Sequence, residues 1–140
     1  MNKKLCVVGG GYWGKNHIKT LYEMGNLGGI VETDKYRLDE HLSKYAVKGF
    51  SDLEDAIKEK FDGYIVATPA ITHYPIGKEL LSKGLNVLLE KPMTLSTEHA
   101  QELVEIAKES NARLMVGHVL LFHPAIKKIK EIVDSGKLGK

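Results

Sequence analysis

The chain has a single cysteine, Cys6, among 140 residues. An internal disulfide is therefore excluded, and one thiolate cannot by itself build a structural zinc site. An excess of one charge is also missing. Twenty Lys and Arg residues stand against 18 Asp and Glu, a net charge of +2 with the two signs interspersed, which leaves no footprint for nucleic acid. No apolar run approaches the roughly 18 residues that a membrane helix needs. The start, Met1 to Val8, faintly imitates a secretion signal, but its apolar stretch is too short and Gly9-Gly10-Gly11 breaks it. Repeats, low-complexity tracts and linkers are absent as well. So are a G-x-S-x-G nucleophile elbow and a G-x-x-x-x-G-K-[ST] phosphate loop. These absences leave a cytoplasmic globular protein with no membrane or nucleic-acid partner. Its 43% apolar and 27% charged residues are ordinary for that class. The length makes one domain, able to bury roughly 68% of its unfolded surface.

Apolar runs alternate with amphipathic stretches along the whole chain. Leu5–Val8 is apolar on both faces and reads as a buried parallel strand. Gly14–Met24 follows as a helix stopped by Gly25. Strands are expected at Gly29–Thr33, Val47–Phe50, Tyr64–Ala67, Asn86–Glu90 and Arg113–Val116. Helices are expected at Lys35–Tyr45, from the Ser51-Asp52-Leu53-Glu54 capping box to Lys60, at Thr72–Lys83, from a Ser96 cap to Glu109, and from Pro124 to Asp134. Six alternations imply an α/β fold, a doubly wound parallel sheet with helices on both faces. Right-handed crossovers and two mononucleotide-binding halves give the strand order 3-2-1-4-5-6.

The chemistry-bearing residues cluster at the predicted strand ends. Gly9, Gly11 and Gly14 form G-x-G-x-x-G between the first strand and the first helix, the context the mechanism requires. Gly9 permits the tight turn, Gly11 lets the backbone approach a pyrophosphate, and Gly14 lets helix and strand pack closely. The free N–H groups and positive dipole of the helix start then hold phosphate. Glu32 stands 18 residues beyond Gly14, where a carboxylate accepts from ribose hydroxyls and repels a 2′-phosphate. NAD is thus favoured over NADP. Asp34 can share that role, while Lys35 and Arg37 stand close by. Thr68 and Pro69 end the fourth strand, and His73 lies near the start of the next helix, as a functional group or as a plain helix-terminus residue. Lys91, in Glu90-Lys91-Pro92 at the end of the fifth strand, is either a proton-transfer group facing the cleft or a surface lysine. His118, Phe122 and His123 follow the sixth strand. No carboxylate or cysteine stands at ligand spacing from these histidines, so no metal is expected and a substrate edge is the better reading. Lys127, Lys128 and Lys130 read as the solvated face of the last helix. His17 and His99, alone in helices, read as structural or exposed.

The run from Val7 to His17, with Gly9-Gly10-Gly11-Tyr12-Trp13-Gly14 at its centre, together with Thr68-Pro69 and His73 and with Glu90-Lys91-Pro92, closely resembles the glucose–fructose oxidoreductase, inositol dehydrogenase and MocA family. The resemblance covers essentially the whole chain. It implies a Rossmann domain of an NAD(P)-dependent dehydrogenase that oxidises a sugar or cyclitol hydroxyl. Lys91 would touch the reacting hydroxyl and the nicotinamide ribose. Glu90 and Pro92 would shape that corner, where the family often has a cis X-Pro bond. Tyr12 and Trp13 would lie at the cofactor, Trp13 bordering pyrophosphate and nicotinamide. The stretch from Gly117 to Ala125 looks like that of members acting on nucleotide sugars such as UDP-N-acetylglucosamine. Two residues depart from the pattern: Ala70 replaces a frequent Asn, and Leu121 a frequent Arg. Length departs too, since the family carries a second α/β domain that supplies further catalytic groups. Residues 1–122 are thus expected to be the dinucleotide-binding domain, and 123–140 a helix leading toward that second domain. The alternatives are a non-catalytic NAD-binding or NAD-sensing module and a nucleotide-sugar epimerase of the same fold class. The oligomeric state is left open.

Overall fold

A computed structural model describes residues 3–137 and 139. The leader-like residues Met1 and Asn2, and Leu138 and Lys140 of the C-terminal segment, lie outside that description. The order of elements is β1 (Leu5–Val8), α1 (Gly14–Glu23), β2 (Leu27–Val31), α2 (Lys35–Lys44), β3 (Lys48–Phe50), α3 (Leu53–Lys58), β4 (Gly63–Val66), α4 (His73–Ser82), β5 (Val87–Leu89), α5 (Thr97–Glu109), β6 (Leu114–Val116) and α6 (Pro124–Asp134). All strand pairs are parallel, in the order β3-β2-β1-β4-β5-β6. The order and class are those the sequence predicts.

The period of two along the strands sorts side chains into two cores. Cys6, Val8, Tyr64 and Val66 point to the face covered by α3, α4 and α5, where they meet Ala56, Leu80, Leu81 and Leu103. Val7, Ile30 and Ile65 point to the other face and meet Ile18 and Leu21 of α1 and Leu38 of α2. Cys6 is fully buried, and burial pushes its thiol up to about 12, so it is inert filling rather than chemistry.

Most element boundaries differ from expectation by one or two residues, and three of the differences have a clear local reason. β2 begins at Leu27 rather than Gly29, because Gly28 and Gly29 leave room for the Phe61 and Phe50 rings instead of turning the chain. α3 is capped by Asp52, whose carboxylate accepts from the Glu54 N–H at 2.7 Å, and not by Ser51. α4 begins at His73, after a single 3₁₀ turn at Ala70–Thr72. The expected Ser96 cap on α5 and Pro124 at the first turn of α6 are present. α6 stands apart. It contributes no buried residue, and Ile129 and Val133 of its apolar stripe are largely exposed. Among the described residues no helix is long and apolar enough to cross a membrane.

Candidate functional site

The carboxyl ends of β1, β2 and β4 border a cleft of about 1130 Å³ that runs over the glycine turn to Thr68 and Pro69. That is the edge at which ligands of open α/β sheets bind. Gly9 has φ 95° and its N–H donates to Val31 O, so the turn leaves β1 in a conformation that side chains rarely adopt. A Cβ on Gly14 would lie 1.8 Å from Gly9 O, whereas one on Gly11 would meet nothing within 4 Å. The first glycine is therefore fixed by backbone shape, the last by helix–strand contact, and the middle one by neither. Its open side faces the cleft. Among the described residues no partner is found for the N–H groups of Gly11, Tyr12 and Trp13. They are free to bind an anion at the start of α1, so the turn fits a pyrophosphate.

Glu32 ends β2 with only 6% exposure. One carboxylate oxygen accepts from Gly10 N–H (2.9 Å) and from the Arg37 guanidinium (3.1 Å), the other from Asp34 N–H (3.0 Å). Burial alone would raise its affinity for a proton. The Asp34 N–H, the Arg37 side chain and the Gly10 N–H together outweigh that and hold Glu32 below the ordinary carboxylate value. Asp34 is exposed and caps α2 by accepting from Arg37 N–H at 2.9 Å. His41, one turn beyond Arg37, donates from Nε2 to Gly10 O at 2.8 Å and braces the turn from behind.

Thr68 and Pro69 line the cleft on the β4 side, and a second cluster adjoins it there without lining it: His73 through Thr68, Glu90 through Trp13, and Lys91 next to Glu90. His73 is 1% exposed, with Nε2 2.9 Å from Thr68 O and Nδ1 2.8 Å from Pro92 O. Both partners are carbonyls, so a ring with a single N–H donates to one of them and packs against the other; the side chain sits between the two loops rather than facing solvent at a helix end. Glu90 is 5% exposed and accepts from Trp13 Nε1 at 2.6 Å, His17 Nε2 at 2.8 Å and Lys91 N–H at 3.1 Å. Burial pushes its carboxyl up, but the bonds from His17, the Lys91 N–H and Trp13 bring it below the ordinary value. Lys91 is exposed, precedes a cis bond to Pro92, and has no side-chain partner among the described residues. Tyr12 is exposed beneath the Lys15 ammonium, 4.9 Å from the ring centroid. His118 and Phe122 are exposed after β6, and His123 caps α6 through Nδ1, which accepts from Ala125 N–H at 3.2 Å.

Several contacts escape sequence reading. His17 and His41 reach partners 73 and 31 residues away, beyond any periodic signal. Tyr74 and Lys78 stand at the Tyr-x-x-x-Lys spacing that an epimerase would need. Their side chains, however, pair with each other and with Glu102 of α5, and Tyr74 stacks on His99 at 3.7 Å. Neither lines the cleft. Among the described residues no group of three or more His, Cys, Asp or Glu is arranged to hold a metal ion.

Sheet order, glycine turn and strand-end carboxylate together define a dinucleotide-binding domain of the Rossmann class. Residues 3–118 match the family model described as an oxidoreductase family with an NAD-binding Rossmann fold, and the chain belongs to that glucose–fructose oxidoreductase, inositol dehydrogenase and MocA family. It is 30% identical over 125 residues to a UDP-N-acetylglucosamine 3-dehydrogenase of Acidithiobacillus ferrooxidans, covering 89% of this chain and 40% of that protein. It is 29% identical over 143 residues to an inositol 2-dehydrogenase of Corynebacterium glutamicum, covering 98% of this chain and 42% of the other. Among solved structures, the WlbA dehydrogenase of Bordetella pertussis, in complex with NADH and UDP-GlcNAcA, superposes with a TM-score of 0.92 at 26% identity. That match covers 100% of this chain and 44% of the other. The chain thus spans about two fifths of the length of these relatives.

Proposed function

We propose that residues 1–122 are the NAD-binding domain of a cytoplasmic dehydrogenase acting on a secondary hydroxyl of a sugar or nucleotide sugar, and that the segment from residue 123 leads toward a substrate-binding domain. One observation carries this reading. Trp13 of the glycine turn bonds at 2.6 Å to Glu90, the residue before Lys91, so the lysine of Glu-Lys-Pro and the dinucleotide turn meet at one edge of the cleft. Bound NAD supplies the hydride acceptor. Lys91, exposed and free of side-chain partners among the described residues, orients the substrate hydroxyl or takes its proton. Gly9, Gly11, Tyr12, Trp13 and Gly14 hold the pyrophosphate side. Glu32, with Asp34 beside it, reads the adenosine ribose. Thr68 and Pro69 form the opposite bank, with His73 and Glu90 adjoining it, and His118, Phe122 and His123 border the substrate. The resemblance of the stretch from Gly117 to Ala125 and the two nucleotide-sugar relatives support a UDP-sugar.

Two measurements test this. In calorimetry the 140-residue chain is expected to bind NAD at least about tenfold more tightly than NADP, a difference of about 1.4 kcal/mol. Binding of neither would overturn the dinucleotide reading, and preference for NADP would overturn the assignment of Glu32. Nicotinamide absorbance with UDP-sugars, hexoses and inositols is expected to show negligible turnover. Substrate positioning can supply about 7–11 kcal/mol of barrier reduction, and here His118, Phe122 and Lys91 all lie exposed. Saturable turnover that disappears in Lys91→Ala would show that these 140 residues are a complete enzyme.

A further inference from the structure

Glu90 is an almost fully buried carboxylate with no Lys or Arg partner among the described residues. Its charge is met by N–H donors alone, and the donors come from two elements. Trp13 and His17 are four residues apart, so they project from one side of the start of α1 onto the same oxygen, Oε1. The Lys91 backbone N–H reaches Oε2. From the loop after β6, Gly117 backs the carboxylate: a Cβ there would lie 3.0 Å from its carbon and both its oxygens. Trp13, by contrast, is 40% exposed and makes no capping bond, so its link to Glu90 is the polar contact that fixes the indole. In the strand order, β5 lies on the opposite side of β1 from β2. Glu90 and Glu32 therefore flank the glycine turn from opposite sides.

We propose that His17 is a positioning residue. Through Glu90 it sets the Trp13 indole and the Lys91 backbone, and so shapes the end of the cleft away from Glu32, where the nicotinamide half of the dinucleotide belongs. The inference rests on the dinucleotide reading of the cleft. His17 touches neither cofactor nor substrate. It acts as a donor that keeps a buried carboxylate aimed at Trp13.

Trp13 is the single tryptophan of the chain, so fluorescence excited selectively at the indole, away from the tyrosines, reports on the surroundings of this side chain. In His17→Leu the acrylamide quenching of Trp13 is expected to rise roughly twofold, and NADH affinity to fall about tenfold, the scale of one hydrogen bond to a charged group. ADP-ribose, which lacks only the nicotinamide, is expected to keep its affinity within about twofold, because the Glu32 bank and the turn are untouched. His17→Gln, whose amide N–H can reach the same oxygen, is expected to restore NADH binding to within about threefold. Gly117→Ala pushes on the carboxylate from the other side and is expected to reproduce the split between NADH and ADP-ribose with His17 intact. Unchanged Trp13 quenching in both His17→Leu and Gly117→Ala would overturn the proposal, as would equal weakening of NADH and ADP-ribose. Wild-type chain that binds neither ligand would overturn the reading of the cleft itself, a separate failure.

Discussion

Gly11→Val is expected to abolish NAD binding and leave the fold intact, whereas Gly14→Ala, a smaller change three residues away, is expected to cripple the fold. A side chain at Gly11 enters open space, with no atom within 4 Å of its Cβ. That space is where the backbone must approach a pyrophosphate. Loss of binding should exceed about a hundredfold, because the valine fills the ligand's place rather than weakening one contact, while stability should stay within about 0.5 kcal/mol, as at other open surface sites. At Gly14 the new methyl would sit 1.8 Å from Gly9 O. Helix α1 and strand β1 would have to separate, and Ile18 and Leu21 with them. A cost above about 4 kcal/mol is expected, a large share of the roughly 5–15 kcal/mol that holds a domain together. Calorimetric titration and thermal melting of the two variants check both halves. Normal NAD binding by Gly11→Val would move the pyrophosphate away from this turn.

Glu32→Ala is expected to lower NAD affinity about thirtyfold and to erase the preference over NADP. The carboxylate offers a charged acceptor to the ribose hydroxyls, and hydrogen bonds to a charged group contribute about 1.5–3 kcal/mol. Its removal also frees Arg37, now held at 3.1 Å, to meet a 2′-phosphate. NADP should therefore weaken far less than NAD, or even strengthen. Parallel titrations of both dinucleotides read the ratio directly, and an unchanged ratio would show that Glu32 is not the discriminating group. The pH dependence has a definite sign. Glu32 and Glu90 are both held below the ordinary value of 4.5 in the folded chain. The stability they contribute is fully present above that value and is lost as pH falls through their lower folded values. Melting temperature and NAD affinity should be insensitive to these two groups between about pH 6 and 8 and should decline below about pH 4.

Much of this architecture is legible in the sequence because the fold repeats one signal. Each buried parallel strand is a short apolar run, each helix an amphipathic one, and the crossover rule then leaves one strand order. The glycine turn is legible for the same reason, since two local steric demands, at Gly9 and Gly14, and one of ligand approach, at Gly11, fall within six residues. The ends of elements are less so. The expected strand starts at Gly29, yet β2 takes in Leu27 and Gly28 as well; Gly29 is paired in the ladder, Gly28 falls at a register shift against β1, and the missing side chains of both admit two phenylalanine rings. Least legible are the histidines. His17, His41 and His73 each reach a partner brought near only by the sheet: a carboxylate after β5, the carbonyl of Gly10, and the carbonyl of Pro92, the Thr68 carbonyl beside His73 being local. Periodicity carries no information about such partners, and a lone histidine in a helix looks alike in every case. The Tyr74–Lys78 spacing makes the converse point, because a catalytic-looking pair turns out to belong to the surface between α4 and α5.

The position of His73 bears on when the cleft acquires its order. By sitting between the loop after β4 and the loop that carries Lys91, the imidazole makes two adjacent segments move as one lip. Their conformational freedom is lost as the chain folds and is not left to be lost when a ligand arrives. Ligand-free and ligand-bound chains should then differ little in backbone position along this lip, and association should be limited by diffusion and fit more than by a search among loop conformers. A domain preordered in this way meets its ligand as a finished surface, and any closing movement has to come from whatever approaches it.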